Sequence, residues 1–256
     1  MAKQPFGVLI VHGFSSSLDC VRGVELPLQV LGLPRRMPTL AGHGAKSPEA
    51  LRGVVWQDWV ADAEAALHDL LSEVEQAIVF GHSMGGLVTL TLAAERPEVI
   101  DSIVVAAAAV QLMSPLAPGR PLHFLAPLVA RVRDSVDMPP TYADPGLAQY
   151  DTNYPWVPSD ATLSFLEFGK ITRRRLPEVR VPALIMQSRN DSTVVPESAD
   201  IIYNNISTPP DLKRIVWFEK TEHEMFRDCQ REAAIETVVK WVRTRADLAT
   251  RGAVGE

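Results

Sequence analysis

Cysteine is nearly missing from this chain: 256 residues hold only Cys20 and Cys229. Neither belongs to a C-x-x-C metal or redox motif, and both read as free thiols in a reducing compartment. Long apolar runs are missing too. No stretch reaches the roughly 18 apolar residues that a membrane span needs. The opening Met1-Ala2-Lys3-Gln4-Pro5 leads into an apolar run, Gly7 to Val11, that stops at His12 and is too short for a signal-peptide core. The expected location is therefore the cytoplasm. Basic charge is not in excess: 25 Lys and Arg stand against 31 Asp and Glu, a net charge of −6. That excludes a nucleic-acid-binding surface as the main function, because phosphate contacts need a basic footprint. The tightest basic cluster, Arg173 to Arg175, reads as a solvated helix end. Internal repeats, low-complexity tracts and Gly/Ser linkers are absent as well.

What remains is an ordinary globular composition, 46% apolar and 22% charged. A chain of this length fits one large α/β domain better than two, and buries enough surface to fold without metal or disulfide. Short apolar runs at Phe6–Val11, Ala77–Phe80, Ile100–Ala108, Ala183–Gln187 and Ile215–Phe218 read as strands, and Leu33–Leu40 holds a further short one after Pro34. Between them lie helical patterns: one from the Ser15–Asp19 cap candidates to about Leu31, one over Trp56–Val74, one over Met84–Ala94 and a long last one from about Arg231 to Leu248. Strand and helix alternate with short loops, which predicts a mostly parallel, doubly wound sheet of about six strands. One segment breaks this rhythm. Residues 109–176 contain no strand-like run but hold nine of the twenty prolines and a dense set of leucines and phenylalanines. A structureless loop of that length would be improbable in a compact domain, so the segment is expected to be an inserted helical cap on a core made of 1–108 and 177–256.

The sharpest chemical signal is Gly81-His82-Ser83-Met84-Gly85-Gly86. It fits G-x-S-x-G, with an expected strand just before it and an expected helix just after. In such a turn the serine is held in a strained conformation with its hydroxyl above the sheet. The competing reading is a serine that merely caps the next helix. A serine hydroxyl needs a general base. Of six histidines, His223 follows the last strand, and the carboxyl ends of parallel strands share one edge. The base in turn needs a carboxylate to set its tautomer. Asp191 follows the strand at Ala183–Gln187, although Asn190-Asp191-Ser192 is also a common turn sequence. Glu222 and Glu224 flank His223 too closely to orient its ring. Oxyanion donors would be the backbone N–H groups of Met84 and of Phe14, in the loop after the first strand.

Together His12-Gly13-Phe14, Gly42-His43-Gly44, the Ser83 motif, Asp191 and His223 make the chain resemble the α/β-hydrolase family, most closely its bacterial carboxylesterases and monoacylglycerol lipases. The resemblance spans almost the whole chain. It implies a Ser83–Asp191–His223 triad, an acyl-enzyme intermediate, no cofactor or metal, and a cap over an apolar pocket. The implied substrate is a small-molecule ester with an apolar acyl chain, of medium length or in a monoacylglycerol. Leu125 and Leu166 are candidate pocket residues, and the cap could touch lipid transiently. Two readings compete on the same fold: hydrolysis of a thioester or of a carbon–carbon bond in a ring-cleavage product, and a weakly catalytic ligand receptor. An amino-terminal hairpin before the first strand has no counterpart here, so six core strands are expected rather than eight.

Overall fold

The computed structural model describes residues 3–253. Strand β1 (Gln4–Val11) leads to two short helices, α1 (Asp19–Arg22) and α2 (Glu25–Val30), and then to β2 (Arg35–Arg36). Next come α3 (Trp56–Leu70), β3 (Val74–His82), α4 (Met84–Glu95) and β4 (Ile100–Ala106). A long connection then carries α5 (Ala126–Val132), β5 (Ser135–Asp137), β6 (Trp156–Pro158) and α6 (Ser159–Arg175). The chain finishes with β7 (Ala183–Ser188), α7 (Glu197–Asn205), β8 (Lys213–Phe218) and α8 (Arg231–Ala253).

Six strands form one parallel sheet in the order β2-β1-β3-β4-β7-β8, as the alternation of strand and helix predicts. Side chains alternate across it. Leu9, Val11, Val79, Ile103, Val105 and Ile185 face the core shared with α3, α4, α6 and α7. Val8, Ile10, Ile78, Phe80, Val104, Leu184 and Met186 face the core shared with α1, α2 and α8. Both faces are buried, which is why the strands read as continuous apolar runs instead of alternating ones. Helix α4 is covered all round, with every residue from Met84 to Ala93 buried.

Two local expectations need correction. The helix expected up to Leu31 is two pieces, divided at Gly23 and Val24. A Cβ at Gly23 would lie 2.8 Å from the terminal methyl of Ile235 on α8, so the chain there packs against the last helix. The short strand expected within Leu33–Leu40 is Arg35–Arg36, bounded by Pro34 and Pro38, which have no N–H to give a ladder. The segment after β4 is not strand-free: β5 and β6 pair antiparallel, with Val136 opposite Val157. Runs of three residues are too short to show a period, and their partners lie far apart in sequence.

That segment is pinned to the rest at several points. Ser164 on α6 accepts a hydrogen bond from the Trp56 N–H (2.7 Å), and Asp160 accepts one from the Gly53 N–H (2.8 Å). Phe168 is fully buried and stacks on Trp56 with ring centroids 5.1 Å apart. The Arg173–Arg175 cluster is only partly solvated: Arg173 bonds Gln111, and Arg175 pairs with Glu95 and Glu178. Cys20 is buried, Cys229 exposed, and both are unpaired. Among the described residues no helix is long and apolar enough to cross a membrane.

Replacing Phe168 with alanine removes the stacked ring from between α6 and α3. Urea unfolding of Phe168→Ala is expected to show a loss of about 3–5 kcal/mol with an unchanged m-value. A loss below about 1 kcal/mol would mean that α6 does not depend on this contact.

Candidate active site

Ser83 sits at the junction of β3 and α4 with φ 56° and ψ −115°, a conformation that costs a non-glycine residue free energy. The surroundings leave no alternative. A Cβ at Gly81 would lie 2.0 Å from the Gly85 carbonyl oxygen, and one at Gly85 would lie 2.2 Å from that of Val11. Only bare backbone lets strand, turn and helix pass this close. The Ser83 N–H donates to Ala106 O (2.9 Å), and its carbonyl accepts from Gly86 N–H (3.0 Å). The hydroxyl is thereby aimed away from the sheet, at the edge where the other strands end.

His223 lies in the loop between β8 and α8, and Asp191 in the loop after β7. The structure brings all three together. The Ser83 Oγ is 3.0 Å from His223 Nε2, and His223 Nδ1 is 2.9 Å from Asp191 Oδ2. A carboxylate only accepts, so it assigns the proton to Nδ1 and leaves Nε2 as acceptor for the serine hydroxyl. Asp191 serves a turn and the imidazole at once, one with each oxygen. Oδ1 accepts from the Thr193 and Val194 N–H groups (2.9 and 2.8 Å), while Oδ2 also takes the Gln187 amide (3.0 Å).

Burial alone would push the His223 imidazole down, but the Asp191 charge and hydrogen bond, with Glu224 and Glu222 behind them, leave it above the ordinary histidine value. Asp191 is likewise drawn up by burial, yet the His223 charge and hydrogen bond and the two turn N–H groups hold it below the usual carboxylate range.

The remaining histidines are buried and neutral in this setting, or lie elsewhere. Burial lowers His12 to about 4; its Nδ1–H donates to Gly13 O (2.9 Å), and its Nε2 accepts from Leu40 N–H (3.1 Å). It thus shapes the loop that carries Phe14. Burial and the neighbouring His12 lower His43 to about 3, and it packs on His12 and Trp59. His82, lowered to about 4 mainly by burial, donates Nε2–H to the His223 carbonyl (2.9 Å). His68 is on α3, and His123 bonds Leu116 O.

Phe14 presents its ring to Phe165 on α6, with centroids 4.7 Å apart, and borders the space around Ser83. Met84 opens α4, so its N–H has no intrahelical acceptor. A space of about 50 Å³ surrounds Ser83 and His223. It adjoins a larger cavity of about 370 Å³, and the two share Phe14, Met138, Phe165 and Thr193. Leu166 lines the larger cavity, together with Leu116, Val129 and Leu163. Leu125 does not; it lies half-buried in the short turn ahead of α5. Among the described residues no cluster of three or more His, Cys, Asp or Glu side chains is arranged to hold a metal ion.

Sequence reasoning missed what holds the His223 loop. Glu222 does not orient the ring, as expected, but its Oε2 accepts from the N–H groups of His223 (2.9 Å) and Ser192 (3.1 Å), tying the loop to the Asp191 turn. Asp228 accepts from the N–H groups of Ala143 and Glu222 (2.8 and 2.7 Å). The only sequence signal was an unusual density of acids around His223, which has no period to read.

Comparison with known proteins agrees with this architecture. A family described as serine aminopeptidase, S33, matches residues 5–230, and the chain belongs to it. The chain is 29% identical, over 94% of its length and 92% of the relative's, to a thermostable monoacylglycerol lipase from Bacillus sp. (strain H-257). It is 25% identical, over 92% and 91%, to a carboxylesterase from Bacillus subtilis (strain 168). Among solved structures it is similar to one described with LipS and LipT, two metagenome-derived lipolytic enzymes, with TM-score 0.85, 27% identity and 95% of each chain covered. The fold is the α/β-hydrolase fold.

Titration of the imidazole by NMR tests the electrostatic arrangement. In the parent protein His223 is expected to titrate above its ordinary value of about 6.5. In Asp191→Asn the largest raising influence is gone while burial persists, so the midpoint should move down. An unchanged midpoint would show that Asp191 does not govern this histidine.

Proposed function

We propose that this chain hydrolyses carboxylic esters, with medium-length acyl chains or as monoacylglycerols, through an acyl-enzyme on Ser83. The observation that carries the reading is the line Ser83–His223–Asp191, at 3.0 and 2.9 Å, on a strained turn beside an apolar cavity of about 370 Å³. In this reading the Ser83 oxygen attacks the ester carbonyl as His223 Nε2 takes its proton. Negative charge develops on the carbonyl oxygen, to which the N–H groups of Phe14 and Met84 would donate hydrogen bonds, each worth about 3–4 kcal/mol to the transition state. The leaving alcohol takes the proton from Nε2. Water then gives its proton to Nε2, adds to the acyl carbon and releases the acid, and the proton returns to Ser83. Asp191 keeps the imidazole in the right tautomer and stabilises it while charged. A dehalogenase or epoxide hydrolase of this fold would need a carboxylate where Ser83 stands.

Residues 109–176 act as a cap inserted in a core of 1–108 and 177–256. Its Leu116, Val129, Leu163, Leu166 and Phe165 wall the cavity. A volume of this size and lining suits one medium acyl chain. The outer face of the cap carries Phe124, Leu128 and Val132, 74%, 57% and 78% exposed, next to Arg131 and Arg133. This apolar stripe with basic neighbours supports a transient contact with lipid carrying the substrate. Phe124→Asp with Leu128→Asp should lower turnover of vesicle-borne substrate several-fold against a dissolved ester; equal loss on both would remove lipid contact from the account.

The main test is a series of p-nitrophenyl esters of increasing acyl length. Burial of each methylene is worth about 0.8 kcal/mol, so kcat/KM should rise about fourfold per carbon until the cavity is full, then level or fall. Ser83→Ala should abolish turnover and labelling by a fluorophosphonate, and Leu166→Asp should flatten the series. A flat series in the parent would sink the acyl-chain reading, and label persisting in Ser83→Ala would sink the nucleophile.

A further inference from the structure

Of the histidines outside the line Ser83–His223–Asp191, one is joined to it twice. His82 is bonded covalently to Ser83 as the residue before it, and by a hydrogen bond to His223. Its Nε2 lies 2.9 Å from the His223 carbonyl oxygen, which only accepts, so Nε2 carries the proton and Nδ1 is bare. Packing fixes the ring on three sides. The Phe226 ring meets it edge-on with centroids 5.8 Å apart, and the His223 ring lies 5.0 Å away. Gly13 closes the third side, where a Cβ would lie 3.5 Å from His82 Nδ1.

The bare nitrogen shows what the histidine is for. Nδ1 is buried with no hydrogen-bond partner among the described residues, which costs free energy. A phenylalanine would fill nearly the same shape without that cost. Packing alone therefore favours a phenylalanine at this position, and what histidine adds is the Nε2–H. That donor is spent on the backbone of the base. His223 is fixed at four points: its N–H donates to Glu222 Oε2 (2.9 Å), its Nδ1–H to Asp191 Oδ2 (2.9 Å), and its carbonyl accepts from Met225 N–H (2.9 Å) and from His82. Glu222 and Met225 share the loop of His223 and move with it, and Asp191 lies on the loop after β7. Among these four, the His82 bond alone starts on the nucleophile turn. It ties the backbone of the base to the residue bonded to Ser83, across which Ser83 Oγ and His223 Nε2 stand 3.0 Å apart. A neutral donor suits the place. His223 gains a proton as Ser83 attacks, and a lysine or arginine within reach would oppose that charge. Burial first, then His223 itself, lowers His82 to about 4 and keeps it neutral.

We propose that His82 is a positioning residue, whose Nε2–H holds the backbone of His223 so that the imidazole stays aligned on Ser83 through its proton transfers. The proposal rests on the ester-hydrolase reading above and adds a strut between the nucleophile turn and the loop of the base. The loss on removing it falls on the chemical steps and not on acyl-chain binding, because the larger cavity is walled without His82.

The experiment measures kcat and KM for p-nitrophenyl octanoate in the parent and three variants. His82→Phe keeps a ring and removes the donor. His82→Asn puts an amide N–H where Nδ1 stands, out of reach of the His223 carbonyl, while His82→Gln puts one where Nε2 stands. In His82→Phe and His82→Asn kcat is expected to fall about tenfold with KM changed less than about twofold. His82→Gln should return kcat to within about threefold of the parent. The pH profile separates alignment from charge. The acid limb of kcat/KM follows His223, and Asp191, Glu222 and Glu224 still face its ring in every variant. The plateau should therefore fall while the midpoint stays. If the parent releases no p-nitrophenol, the ester-hydrolase reading itself fails. If the parent turns over, three results overturn the strut alone. The first is parent kcat in both His82→Phe and His82→Asn. The second is a His82→Gln no faster than His82→Asn, which would leave only the shape of the ring. The third is a loss of rate with a moved midpoint, which would make His82 an electrostatic partner of His223. Should one of the two variants without the donor fail to fold, the other decides.

Discussion

The near-contact of bare backbone at Gly81, Gly85 and Val11 is the constraint on which the site depends. Three passes of chain come together where β3 turns into α4, and no side chain larger than hydrogen fits at those glycines. The turn can then be sharp enough to hold Ser83 at positive φ, with its hydroxyl beyond the sheet edge. The strain is local, while its support is distributed: Ala106 accepts the Ser83 N–H, and the apolar α4 behind it is buried on every side. A parallel sheet supplies the rest. Since all six strands point the same way, the loops after β1, β3, β7 and β8 open on one edge, and His12, Ser83, Asp191 and His223 meet there without further design.

Charge is arranged in two tiers around this edge. The inner tier is Asp191 with His223, where one carboxylate offsets the cost of burying an imidazole that gains a proton. The outer tier is Glu222, Glu224, Arg227 and Asp228, whose hydrogen bonds go to backbone, to one another or to side chains of neighbouring loops and not to the ring. Buried carboxylates this close to an imidazole would be costly if left unpaired. Arg227 compensates Glu224 and Asp151 together, and joins the loop of His223 to the stretch of Asp151 to Asn153 that closes over it. The apolar cavity lies next to this polar tier and shares walls with it. A ligand lying across Ser83 would therefore have one end in hydrocarbon-like surroundings and the other among hydrogen-bonding groups.

Much of this was legible in the residues. Continuous apolar runs mark doubly buried strands, and their alternation with helical periods dictates a parallel sheet. G-x-S-x-G between a strand and a helix locates the turn, because glycine is the only residue that tolerates the approach. Chain order then places Asp191 and His223 at the strand ends. These signals are local or topological, and a sequence carries both kinds. Pro34 and Pro38 also carried the information that bounded β2, since a missing N–H is a property of the residue itself.

Other features arise only when distant segments meet. The β5–β6 pair joins short runs with no period of their own. Leu166 faces the cavity and Leu125 does not, because the rotation of each turn is set by what it packs on. The division of Asp191 between a turn and an imidazole, and the bonds from Glu222, Glu224 and Arg227, depend on side-chain directions across loops far apart in the chain. The sequence carries what a residue can do and which sheet edge it reaches. Tertiary packing selects which atoms face one another, because hydrogen bonds and cavities depend on ångström distances that no spacing along the chain encodes.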